Sequence, residues 1–332
     1  MKLTFEQIKS IAHGVSRVVA DNGKIRFLRF TQEQEKMYEE FPDFYKKTFA
    51  SAGVRLEFVT DSSSLTLRVD VESKSSRTYF NHDIYVNGEL CYTLGDDVKN
   101  STDGHMTLEG SYSLGQGDKT VCIYFPWSAC SEVISLELDN GAALSPVEHS
   151  RRMILFGDSI THGYDAFNPS AAYASLLTDA LDADGINKGI GAEKFHKELA
   201  LLGDGFTPDL ITVAYGTNDW RGANKKQFEE ECSAFYENLT KTYPDTPIFA
   251  LAPIWRMEGD TRITSVGPLS RVAEKLREVA AVLPNVTVID CYDFVPHDPS
   301  MFSPDVLHPN DKGFAHYAEG VIKAIKNELN ID

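Results

Sequence analysis

The rhythm of apolar residues changes once along this chain of 332 residues, and that change limits its architecture more than any other feature. Between Val54 and Asp139, apolar and polar residues alternate in the runs "VRLEFVT", "SLTLRVDVES", "TYFNHDIYVNGELCYTL", "GHMTLEGSYSL", "KTVCIYFPW" and "EVISLELD". A period of two describes strands with one buried and one wet face, and the pair Asn87-Gly88 suits the type I′ turn of a hairpin. "GKIRFLRFT" adds a strand, and "TQEQEKMYEEFPDFYKKTFA" reads as a polar, partly helical insertion. About five to eight such antiparallel strands make a β-sandwich or jelly roll.

After "DNGAALSPVEHSRR" the apolar runs become continuous, "MILFG", "LITVAYG", "PIFALAPI" and "VTVIDC", and alternate with helix-length amphipathic segments at 171–181, 225–243, 269–283 and 312–329. Continuous apolar strands need cover on both faces, so this half is expected to be an α/β unit, a parallel sheet between two helical layers. The boundary is expected between Leu144 and Ser150, giving an antiparallel sandwich over 1–147 and an α/β/α domain over 148–332.

A formal charge of −17 repels phosphate backbones and anionic headgroups, which argues against nucleic-acid and membrane partners. The start, "MKLTFEQIKSIAHGVSRVV", has no apolar core of a secretory signal, and the chain is expected to be cytoplasmic. Five cysteines at scattered positions, with no CxxC, suit neither a disulfide framework nor a zinc site, and most are expected to be small core residues.

Chemistry enters with "ILFGDSITHGYDAF", where Ser159 follows the first strand of the parallel half. Open parallel sheets bind ligands beyond the carboxyl ends of their strands, so Ser159 occupies a reactive edge, although Gly, Asp and Ser are also ordinary turn formers. A serine nucleophile needs a base, and the base needs a group that fixes its tautomer. Among nine histidines, His308 in "SPDVLHPNDKG" stands three residues after Asp305, in a loop expected at the same edge; a polar connector capped by Asn310 or Asp311 is the plain alternative. Acyl transfer also needs oxyanion donors, which the Asn218 side chain in "LITVAYGTNDW" and the backbone near Gly191 and Ala192 in "GINKGIGAEKF" can supply. Each of these loops alone is an ordinary connection. Together they place a nucleophile, donors and an oriented base at one sheet edge.

The four blocks "FGDSITHG", "NKGIGA", "YGTND" and "DVLHPN", in this order over residues 152–330, resemble those of the SGNH or GDSL hydrolases. That resemblance implies Ser159 as nucleophile, His308 as general base and then acid, Asp305 as its orienting partner, and the Ser159 N–H, the second-block N–H and Asn218 as oxyanion donors. GxSxG is absent, so this is not the usual α/β-hydrolase elbow. The family's oxyanion glycine falls on Ala192, with Gly191 just before it. A backbone donor tolerates alanine, and Ala192 is expected to keep φ < 0, because a left-handed conformation costs a residue with a Cβ about 1–2 kcal/mol. The first half is similar to the sandwich that precedes this domain in some carbohydrate esterases and acyltransferases.

The expected activity is that of a serine esterase acting on a small ester, such as an O-acetyl group on a sugar, with no metal or organic cofactor. Asp158, His162, Trp220 and Trp255 are candidate substrate contacts, against plainer roles in loops or packing, and Trp127 is assigned to the sandwich. Three rivals stand beside this reading. An acyltransferase would pass the acyl group to an alcohol, a metal phosphoesterase would use Asp158, Asp305 and His308 as ligands, and a carbohydrate-binding protein would keep the hydrolase half as a degenerate support.

Overall fold

The computed structural model describes residues 1–101, 104–259 and 261–331, so Asp332, the end of the second expected unit, lies outside it. Residues up to Pro146 form two antiparallel sheets. One runs in the order Arg17–Asp21, Lys24–Leu28, Ala129–Leu138, Ser64–Ser73, His105–Ser113. The other runs Ala12–His13, Arg55–Thr60, Lys119–Tyr124, Tyr79–Val86, Glu89–Asp97, with Ser145–Pro146 added beside Arg55–Thr60. Alternate residues of both, among them Leu56, Phe58, Leu67, Val69, Ile123 and Leu136, close a shared core.

These sheets hold five and six strands, more than the alternating runs announce. Two of the extra strands are two residues long, too short to show a period. The third, Arg17–Asp21, buries neither face fully and so does not alternate. Its turn carried the missed signal: Asn22 and Gly23 have φ 49° and 77°, the same left-handed pair as Asn87 and Gly88 at 52° and 81°.

The insertion is two short helices, Gln32–Tyr38, started by a Thr31 capping box, and Pro42–Thr48, started by its proline. It docks on the second half, where Phe30 and Tyr38 join the core of the parallel sheet.

That sheet contains β1 (Arg151–Gly157), β2 (Ala183–Asn187), β3 (Leu210–Ala214), β4 (Ile248–Leu251) and β5 (Val286–Ile289), all parallel, in the order 2-1-3-4-5. Its helices are α1 (Ser159–His162), α2 (Tyr173–Ala180), α3 (Thr217–Gly222), α4 (Lys225–Thr242), α5 (Ser270–Ala280) and α6 (Asp311–Leu329). Alternation along β1 sends Ile154 and Phe156 into the layer with α4 and α5, and Met153 and Leu155 into the layer with α2 and α6. Because β2 and β3 flank β1 on opposite sides, their crossovers leave in opposite directions, and a crevice opens where β1 and β3 end. Among the described residues, Cys91 is exposed and the other four cysteines are buried, and no helix is long and apolar enough to cross a membrane.

Candidate active site

At the end of β1, the Asp158 carboxylate accepts the Ile160 N–H at 3.0 Å and caps α1, leaving Ser159 as the first helical residue. A first helical N–H has no partner within its helix, so the Ser159 amide is available at the crevice. Across from it, residues 302–309 close on themselves through a Phe302–Pro309 bridge and a Ser303 N–H donated to the His308 carbonyl at 2.8 Å. Asn310 then caps α6 by accepting from the Lys312 and Gly313 amides. Within this loop Val306 sits at φ 47°, a left-handed conformation that a β-branched residue adopts only under strain, at a cost of about 1–3 kcal/mol. The strained turn lets one Asp305 oxygen accept the Leu307 and His308 amides at 2.9 and 3.1 Å while the other meets His308 Nδ1 at 2.7 Å. His308 Nε2 then lies 2.9 Å from Ser159 Oγ, a contact between residues 149 apart in sequence.

A second carboxylate, which the sequence reading does not contain, reaches the same imidazole. Asp165 Oδ2 lies 3.2 Å from His308 Nδ1. Arg77, from the antiparallel half, donates to both Asp165 oxygens at 2.6 and 2.9 Å, and its guanidinium approaches Asp305 at 3.6 Å. Ser303 Oγ bridges the two carboxylates at 2.9 and 2.8 Å. Burial by itself would lower the His308 pKa, but hydrogen bonds and charge from Asp165 and Asp305 outweigh it and push the imidazole up to about 9. Burial likewise works against ionising Asp165 and Asp305, yet His308, with Arg77 at Asp165, holds both carboxyls well below the usual carboxylate range.

Asp165, Asp305 and His308 are the group that could hold a metal among the described residues, rather than the trio with Asp158 that the sequence suggests. Asp158 instead faces the Ile160 amide and Asn218, and burial raises its pKa to about 6. The Arg77 guanidinium already provides positive charge against both carboxylates of the group, so the donor set fits an arginine-neutralised pair better than a cation site.

The second-block turn corrects an expectation. Ala192 has φ 72°, not a negative value. Glu193 N–H bonds the Ile190 carbonyl at 3.1 Å, which makes residues 190–193 a turn with Ala192 third, the position that needs positive φ in a type II turn. Glycine is spent one residue earlier for a different reason: a Cβ on Gly191 would lie 2.6 Å from the Tyr164 ring. The Gly191 amide is also engaged, donating to His162 Nδ1 at 3.3 Å. Asn218 Nδ2 donates to the Glu193 carbonyl at 3.0 Å and, more weakly, to Asp158 Oδ2 at 3.3 Å.

The candidate substrate contacts fare differently. Trp220 is fully buried, with its indole N–H on the Gly267 carbonyl, and presents no face to a ligand. His162 is buried too. Its Nε2 donates to the Trp127 carbonyl at 2.8 Å while Nδ1 accepts from Gly191, and burial drives its pKa far down, so it is a neutral prop for the second-block turn and not a substrate contact. Asp158 is 1% exposed and serves as a cap. Trp255 stacks on His297 and packs edge-on against Phe302, where the His308 loop begins. Trp127 does more than fill the sandwich, since its indole N–H bonds the Ala166 carbonyl at 2.9 Å beside Asp165.

Residues 155–316 match the model of the GDSL-like Lipase/Acylhydrolase family. The chain carries a GDSL-like lipase/acylhydrolase domain. This domain marks the chain as a hydrolase, and its fold is the SGNH fold with an antiparallel N-terminal part before it. No curated protein matches its sequence. Among solved structures, a salicylyl-acyltransferase from a tetracycline biosynthetic pathway is similar at TM-score 0.81 and 23% identity, over 97% of this chain and 96% of that one. A putative GDSL-like lipase from Bacteroides ovatus gives 0.79 and 21%, over 100% and 98%. A family two carbohydrate esterase from Cellvibrio japonicus gives 0.69 and 16%, over 99% and 98%. At these identities the likeness is one of fold.

Proposed function

We propose that this GDSL-type hydrolase is a serine esterase that cleaves a small carboxylic ester through an acyl-serine intermediate. The observation that carries the reading is His308 Nε2 at 2.9 Å from Ser159 Oγ, with carboxylate holding Nδ1. Ser159 Oγ attacks the ester carbonyl as His308 takes its proton, and the tetrahedral oxyanion is held by the amides of Ser159 and Ala192 and by Asn218 Nδ2, which exchanges its longer bond to Asp158 Oδ2 for one to the oxyanion. His308 then protonates the leaving alcohol, and water activated by the same imidazole releases the acid. No metal or organic cofactor enters these steps. Exposures of only 6% at Ser159 and 8% at His308 favour a small acyl group over a fatty chain. The shared fold with a carbohydrate esterase supports a sugar ester as substrate, and the charge of −17 favours a neutral or cationic one. The same reading divides the chain at 147/148, with the sandwich as the first domain. Hydrolysis measured across acyl lengths and acetylated sugars tests it: rates rising toward long acyl chains would contradict a small acyl group.

Acyl transfer to an alcohol is the second reading, favoured by the acyltransferase whose fold matches over nearly the whole chain. Product analysis with and without alcohol acceptors separates the two, because a transferase gives new ester where an esterase gives free acid.

Two outcomes follow from the site. Asn218→Ala lowers kcat about 100- to 1000-fold with a smaller effect on KM, as expected for a donor that acts mainly on the oxyanion; an unchanged kcat would remove Asn218 from the hole. The second concerns pH. His308 must be neutral to accept the serine proton, and its two carboxylates favour the protonated form up to about pH 9. Stopped assays should therefore show kcat/KM climbing at least about tenfold from pH 7 to 9. A plateau already reached at pH 7 would contradict the raised imidazole.

A further inference from the structure

Under the esterase reading Asp305 alone would orient His308, yet its side chain is 38% exposed whereas that of Asp165 is 8% exposed. The more enclosed carboxylate is also the one more firmly fixed. Arg77 grips both of its oxygens, Ser303 Oγ donates to Oδ2, and the Trp127 indole pins the next peptide through the Ala166 carbonyl. Asp165 itself takes φ 70°, a conformation that Asp tolerates better than most residues. The segment carrying it is tied down again at Phe167, whose N–H donates to Asp311 at 2.7 Å. Its polar contacts converge on the Asp165 carboxylate, whose Oδ2 faces His308 Nδ1 at 3.2 Å.

Resting on the serine-esterase reading, we infer that Asp165 and Arg77 are positioning residues for His308: Asp165 is a second acceptor for the imidazole, and Arg77 of the antiparallel half fixes that carboxylate and neutralises one of the two charges. The antiparallel half thereby becomes part of the catalytic apparatus instead of a carrier for it. Two unneutralised carboxylates on one imidazole would repel each other and bind its proton too tightly for the imidazole to act as an acid, and the guanidinium reduces both effects. Among the described residues, the antiparallel half brings Tyr79 as well as Arg77 to this cluster, with the Tyr79 hydroxyl 3.5 Å from Asp165 Oδ1. The loop of His308 offers Asp305, the segment after α1 offers Asp165 and Tyr164, whose ring lies 5.5 Å from the imidazole, and the head of α1 offers Ser159 and the buried Asp158.

The test uses the full chain, p-nitrophenyl acetate, and the pH dependence of kcat/KM. Losing a negative neighbour makes the imidazolium easier to deprotonate, so Asp165→Asn should move the acidic limb down by about one pH unit while lowering kcat about tenfold or more. Losing a positive neighbour does the opposite, so Arg77→Met should move the limb up by a comparable amount, about half to one unit. Arg77→Lys, which keeps the charge, should leave the limb where the wild type has it. A purely structural role would lower kcat/KM without moving the limb, and that result in both Asp165→Asn and Arg77→Met overturns the inference, as does wild-type behaviour of both. If Arg77→Met fails to fold, the limb of Asp165→Asn decides alone. Ser159→Ala run in parallel separates this inference from the reading it rests on: activity that survives Ser159→Ala defeats the esterase reading, whereas Ser159-dependent activity with unmoved limbs defeats only the roles of Asp165 and Arg77.

Discussion

Ser159→Ala lowers kcat/KM for p-nitrophenyl acetate by about 10⁴- to 10⁶-fold and abolishes the pre-steady-state burst of nitrophenol. The size follows from the geometry. The hydroxyl is a weak nucleophile made competent by the imidazole 2.9 Å away, and among the described residues that imidazole has no other acceptor or donor on its Nε2. With the oxygen gone, the amides of Ser159 and Ala192 and the side chain of Asn218 still stabilise an oxyanion, so a trace of hydrolysis by water should remain. His308→Ala should cause a loss of similar size, and the double variant should be scarcely worse than either single one, because the two groups act as one unit. The burst and the steady-state rate are measured together. Retention of more than about one part in a hundred of the wild-type rate in Ser159→Ala would end the acyl-serine mechanism.

Arg29→Met destabilises the protein by about 3–5 kcal/mol and weakens activity further than the loss of folded protein explains. Arg29 is fully buried, and burial lowers its pKa to about 9, yet no carboxylate bonds it directly among the described residues. Its guanidinium instead serves four carbonyls. Nε meets Ala50 at 2.6 Å, Nη2 meets Lys47 at 2.9 Å, and Nη1 bonds Asn187 together with Gly189 at 3.2 Å. Methionine fills much of the volume but leaves those acceptors unsatisfied in the interior, where each costs about 1–3 kcal/mol before relaxation. Two of the carbonyls lie in the strand end that leads to Ala192, and Lys47, whose carbonyl Arg29 also holds, donates its ammonium to the Gly191 carbonyl at 2.7 Å. Loosening this frame displaces the turn that carries the proposed oxyanion donor, and a shift of about 1 Å there can cost a hundredfold in rate. Denaturant midpoints and kcat/KM on the folded fraction read both effects. A change within about 0.5 kcal/mol would show that water or neighbouring donors replace the guanidinium.

Several elements were legible in the sequence because their cause is local. The continuous apolar runs became β1, β3, β4 and β5 since a strand covered on both faces has no polar side to show, and the amphipathic segments became α2, α4, α5 and α6 with ends shifted by a few residues at most. Ser159, Asp305, His308 and Asn218 could be singled out because each stands in a short loop of fixed spacing after a strand. Other features left no such mark. Arg17–Asp21 escaped because neither of its faces is clean, and Ala192 took a left-handed conformation because the glycine beside it was needed against Tyr164. His162 and Trp220 look from the sequence like residues at the rim of a pocket, but both are buried in service of backbone carbonyls.

By itself, the sequence marked two kinds of sheet along the chain and the loops that hold the candidate nucleophile and base, because hydrophobic period and loop spacing act over a few residues. Tertiary structure alone decided that a second carboxylate, held by an arginine from the other half, would reach the imidazole. Arg77 and Asp165 are 88 positions apart and Asp165 and Ser303 are 138 apart, and no local pattern encodes such meetings. They exist because the antiparallel half packs against the open edge of the parallel sheet, where a buried charge persists only if an opposite charge or hydrogen-bond partners are brought to it.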